Sequence, residues 1–110
     1  MGKLTTHVLD SAHGRPGAGI TIELFVLRGG DWALLKTVAT NADGRTDGPL
    51  LEGTAFLAAT YELVFHVGSY FRQQGFLDQV PVRFTIRDPA AHYHVPLLCS
   101  PWSYTTYRGS

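Results

Sequence analysis

The sequence predicts an all-β fold, an antiparallel β-sandwich of seven or eight short strands with one short helix. Three observations carry that prediction. Apolar residues alternate with period two through residues 60–67, 80–87 and 92–99. Turn-forming glycine, proline, asparagine and aspartate separate the alternating runs. Only one window, residues 69–75, has helical character, with Ser69 as its N-cap and Gly75 as its stop.

The elements follow in order. Residues 4–10 form a first strand, ended by the turn cluster HGRPG at 13–17. Residues 19–28 are rich in β-branched side chains and lead into a hairpin turn at Gly29, Gly30 and Asp31. Residues 33–40 return, and the NADG turn at 41–44 places Arg45 just beyond an Asp-Gly bend. A weak strand over 50–54 and a strong one over 60–67 precede the helix. Strands over 80–87, 92–99 and 102–108 complete the fold, the last delivering Tyr107, Arg108, Gly109 and Ser110 at the chain end.

At 110 residues the chain reads as one domain, 1–110, with no repeat, linker or low-complexity segment. A domain of this size buries roughly two-thirds of its unfolded surface, so a modest core forms without disulfides. Nine basic and nine acidic residues cancel, which argues against nucleic acid or an anionic membrane as partner and removes a barrier to self-association. Residues 1–9 contain one lysine and no apolar run, so no signal peptide and no membrane span are expected. Residues 1–6 formally fit a myristoylation pattern, but a strand beginning at Leu4 competes with that reading. The single cysteine, Cys99, excludes an internal disulfide and fits the cytoplasmic location expected here.

Side-chain parity locates the chemistry. Tyr93, Val95, Leu97 and Cys99 share a core-like face, which turns His92, His94, Pro96 and Leu98 outward. On the first strand His7 shares a face with Thr5 and Leu9. An outer face this apolar calls for a cover, and another subunit is the natural candidate. His13 and His66, in a turn and alone on a strand, read as ordinary surface histidines. For the other three, a solvated role, a zinc site using the His92-x-His94 spacing and a water-activating pair beside a cation are all open. Zinc lacks a third ligand in the sequence. Arg45 is either a solvated charge or part of a binding loop.

Four segments together resemble the transthyretin-like 5-hydroxyisourate hydrolases: LTTHVLD at 4–10, NADGR at 41–45 with Asp47 and Gly48, HYHVPLL at 92–98 followed by Ser100 and Pro101, and the ending YRGS at 107–110. The similarity spans nearly the whole chain. It implies a transthyretin-type sandwich and a homotetramer, a dimer of dimers with the active site in a cleft between dimers. It further implies hydrolysis of a small-molecule substrate, 5-hydroxyisourate, without a cofactor or metal. The implied catalytic residues are His7, Arg45 and His94, with His92 in support; Tyr107, Arg108, Gly109 and Ser110 bind substrate. Cys99 stands where the family usually has an aliphatic residue. A transthyretin-like carrier of a hydrophobic ligand in a central channel is the alternative, and a purely structural tetramer ranks below it.

Overall fold

Alternation in the sequence becomes alternation in burial. The computed structural model describes residues 2–72 and 75–109. Along β1 (Lys3–Asp10), every second residue from Leu4 to Asp10 is buried. The remaining strands are β2 (Arg15–Pro16), β3 (Thr21–Arg28), β4 (Asp31–Ala39), β5 (Leu51–Glu52), β6 (Ala59–His66), β7 (Gln79–Ile86), β8 (His92–Cys99) and β9 (Tyr104–Thr106). One sheet has the order β2-β1-β8-β9, with β5 also paired to β1; the other has the order β4-β3-β6-β7. The two sheets pack face to face as the sandwich the sequence predicts.

The core sits between them. Leu4 and Val8 of β1 and Val95, Leu97 and Cys99 of β8 meet Ile22 and Leu24 of β3, Leu63 and Phe65 of β6 and Val80 of β7. Phe56 plugs one end, 6.1 Å from Tyr61 and edge-on to Tyr93 at 6.0 Å. Burial pushes the Cys99 thiol up to about 11, with the nearby Asp10 charge adding to the effect. That thiol is therefore unreactive near neutral pH.

β1 and β8 run parallel along their full length, from Lys3 opposite His92 to Asp10 opposite Cys99. The other strand pairs among the described residues are antiparallel. The hairpin at Gly29 and Gly30 uses positive φ at both positions, as a tight two-residue turn requires.

Several boundaries differ from expectation. The helix α1 is Val67–Tyr70, so Ser69 lies inside it and caps nothing. The chain leaves the helix at Arg72, whose φ is 59°. Gly75 serves close packing instead, because a Cβ there would collide with Pro101. Gln73 and Gln74 of the expected helix lie outside the described residues. The weak strand over 50–54 shortens to β5 and a 3-10 turn, Gly53–Ala55.

The closing strand is also shorter than residues 102–108. Gly109 pairs with His94 in the register set by Thr106 opposite Leu97. The interval falls opposite Pro96, which has no N–H to give the ladder. β9 thus pauses and re-engages one bridge before the chain end.

The turn ahead of Arg45 is tied to β1. Asn41 Oδ1 accepts the Asp43 and Arg45 N–H groups at 2.9 and 3.1 Å, and Val8 N–H donates to the Gly44 carbonyl at 2.7 Å. Gly44 has φ 76°, and a Cβ there would strike the Val8 carbonyl. Gly44→Ala is expected to destabilise the fold by about 1–3 kcal/mol through both effects. A urea midpoint equal to that of the unaltered chain would contradict this.

Candidate active site

The outer face of the β1–β8 pair is where the predicted residues converge. Thr5 lies opposite His94 and His7 opposite Pro96. Two isolated antiparallel bridges add the rest, Arg45 beside His7 and Gly109 beside His94. Directly opposed residues in such bridges project to the same side. Four chain segments therefore bring His7, Arg45, His94 and Gly109 to one surface.

Hydrogen bonds orient the imidazoles. His7 Nε2 lies 2.9 Å from the Asp43 carbonyl, which can only accept. Nε2 therefore carries the proton, and in neutral His7 the basic nitrogen is Nδ1. The Thr5 hydroxyl sits between two rings, 2.8 Å from His94 Nδ1 and 2.8 Å from His92 Nε2. His94 Nε2 is the nitrogen this contact leaves for other partners.

His94 is held below the ordinary imidazole pKa. Burial is the largest cause, followed by the positive charge of Arg45 and then by His92 and His7. Its neutral form is favoured for that reason. The backbone of Gly109 presses on the same ring: its N–H donates to the His94 carbonyl at 2.7 Å, and a Cβ at 109 would lie 2.7 Å from His94 Cδ2. A side chain at 109 would force the His94 ring to shift.

The tail divides. Tyr107 is over half exposed, at 57%, opposite Pro96 in the register. Arg108 turns toward the flank of the sandwich, its guanidinium 4.2 Å above the Tyr93 ring and 3.5 Å from the His92 carbonyl. Ser110 lies outside the described residues. The two histidines read as ordinary are paired elsewhere, His13 with Asp10 and His66 with Glu23. Among the described residues no three His, Cys, Asp or Glu side chains gather as a metal site.

Sequence reasoning missed Thr5 and Asn41. Thr5 shares His7's parity, which was a usable signal. Its bridging role depends on β8 being the neighbour of β1, and that is a tertiary fact.

Thr5, His7, Arg45 and His94 thus form a polar cluster on the outer face of a two-sheet sandwich. The chain belongs to the HIUase/Transthyretin family, whose model matches residues 4–109. It is 58% identical to 5-hydroxyisourate hydrolase 2 of Rhizobium meliloti, over 99% of this chain and 97% of that protein. Among solved structures, (S)-allantoin synthase superposes with a TM-score of 0.93 at 45% identity, covering 99% of this chain but 44% of that longer one. Sea bream transthyretin in complex with thyroxine superposes with a TM-score of 0.90 at 28% identity, over 97% of this chain and 94% of that one.

The cause of the His94 shift is open to direct measurement. In an NMR titration its imidazole is expected to protonate below pH ~6.5, the ordinary histidine value. Arg45→Gln is expected to move that midpoint upward, since a cation that opposes protonation is removed. An unchanged midpoint would show that Arg45 does not act on His94.

Proposed function

We propose that the chain hydrolyses 5-hydroxyisourate to 2-oxo-4-hydroxy-4-carboxy-5-ureidoimidazoline in urate catabolism. The observation that carries this reading is the neutral-favoured His94 sharing one surface with Arg45 and His7. Close relatives bearing the name 5-hydroxyisourate hydrolase support it, at 56–58% identity over nearly the full chain.

Ring opening needs water to attack an amide carbonyl. The water must lose a proton, and the carbonyl oxygen gains negative charge. His94 takes the proton at Nε2, its Nδ1 being held by Thr5. His7 works with it as an acid–base pair, with a tautomer set by the Asp43 carbonyl. Arg45 offsets the charge on the oxyanion. As the ring C–N bond breaks, the departing nitrogen takes up a proton and the carbonyl carbon becomes a carboxylate. Tyr107, Arg108, Gly109 and Ser110 position the planar substrate.

The site is completed by assembly into a homotetramer, a dimer of dimers. Leu9 and Leu98 on the outer face and the exposed Trp102, Tyr104 and Tyr107 are apolar surface that a second copy would cover. In that assembly the Tyr107 ring would close the central channel to long ligands, which separates this reading from the carrier alternative. The cytoplasm is proposed as its compartment, with which a lone unpaired thiol is compatible.

The ultraviolet decay of freshly generated 5-hydroxyisourate, followed against its spontaneous rate, tests the reaction. His7→Ala, Arg45→Ala and His94→Ala are each expected to lower turnover ~100- to 10,000-fold, while His13→Ala and His66→Ala stay within a few-fold. Near-normal turnover by the His94 variant would remove it as the base. Sedimentation is expected to find a tetramer at assay concentration, and a fully active monomer would refute the shared site.

A further inference from the structure

The tautomers of His7 and His94 are set by different means. His7 Nε2 faces the Asp43 carbonyl at 2.9 Å. A carbonyl only accepts, so that bond by itself decides where the His7 proton sits. His94 Nδ1 faces a hydroxyl, that of Thr5, at 2.8 Å. A hydroxyl both donates and accepts, so this bond leaves the His94 tautomer undecided.

The deciding group stands on the other side of the same oxygen. His92 Nε2 lies 2.8 Å from Thr5 Oγ1. These two ring nitrogens are the hydroxyl's partners among the described residues. All three side chains come from adjacent strands of one chain, with Thr5 opposite His94 and Lys3 opposite His92. His92 and His94 share a face of β8, their ring centroids 6.3 Å apart. At that separation the hydroxyl is what joins them.

Thr5 carries one hydroxyl proton, so the row has a direction. When the hydroxyl donates to His92 Nε2, its lone pairs face His94, and His94 Nδ1 supplies the hydrogen. Neutral His94 then has Nε2 free. When His92 Nε2 donates instead, the hydroxyl turns to His94 Nδ1, and neutral His94 carries its proton on Nε2. The first arrangement leaves a base at Nε2 and the second removes it.

The charged groups around the row are Lys3 across from His92, Glu52 opposite Lys3 on β5, Arg108 at 3.5 Å from the His92 carbonyl, and Arg45 beside His7. Among the described residues none of them hydrogen-bonds to the three side chains of the row. Its direction is therefore left to His92.

We propose that His92 is a positioning residue: by accepting the Thr5 hydroxyl proton at Nε2 it holds His94 in the Nδ1–H tautomer, with Nε2 free. The use of that nitrogen as base rests on the reaction proposed above, whereas the coupling of the two rings rests on the hydrogen bonds alone. Protonation of His92 at Nε2 reverses the row and removes the base without charging His94.

Imidazole nitrogen NMR shifts of the intact chain at pH ~8.5, above the ordinary histidine range, test the coupling independently of turnover. A pyrrole-type Nδ1 and a pyridine-type Nε2 are expected at His94, with a pyridine-type Nε2 at His92. His92→Phe keeps a ring but deletes the acceptor. It is expected to shift His94 toward the Nε2–H tautomer and to lower kcat on 5-hydroxyisourate roughly 10-fold, with KM and the thermal midpoint little changed. His92→Glu, whose carboxylate only accepts at that pH, is expected to restore the tautomer and recover most of the lost turnover. A pyrrole-type Nε2 at His94 in the unaltered chain would overturn the proposal, whatever the variants do. So would the same His94 tautomer in the Phe and Glu variants. Shifts as expected, with no acceleration of 5-hydroxyisourate decay by the unaltered chain, would uphold the coupling and refute the reaction instead.

Discussion

The parallel pairing of β1 with β8 is the constraint on which the rest depends. It sets Thr5 beside His94 in a single register. A slip by one residue would send the histidines into the core and the core residues to the surface. That register is enforced from the buried side, where Leu4, Thr6 and Val8 on one strand and Val95, Leu97 and Cys99 on the other have little or no exposure. Thr6 reinforces it by donating its hydroxyl to the Val95 carbonyl at 2.7 Å. The same packing that closes the core therefore aligns the polar face behind it.

On that face, charge and burial act in one direction. Partial burial and the neighbouring cation both disfavour imidazolium at His94, and a base is useful only while it is unprotonated. Arg45 reaches this neighbourhood because the Asn41 turn is bonded to itself and to Val8. Gly109 holds the other side of the ring by backbone contact. Thr5, Arg45 and Gly109 reach His94 from three different chain segments, so the site exists only in the closed sandwich.

Parity was enough to read the outward histidines and the inward Cys99, because a strand with one buried face reveals its own orientation. The four motif segments carried the family. Pairing order was not legible, since nothing local says that the first strand lies beside the eighth, and Thr5 gained its role only through that adjacency. Ser69 misled because a serine ahead of a run without glycine or proline imitates an N-cap, whereas the helix begins two residues earlier in the buried Val67 and Gly68. The pause at Tyr107 and Arg108 follows from Pro96 on a different strand.

The central claim is that the β1–β8 register lets the Thr5 hydroxyl orient His94 for proton transfer. Thr5→Val tests it most directly, keeping shape and β-propensity while deleting the hydroxyl. The pH profile of kcat/KM for 5-hydroxyisourate is the measurement. The account predicts a drop of ~10- to 100-fold with a displaced acid limb and an unchanged thermal midpoint. A profile superimposable on that of the unaltered chain would contradict it.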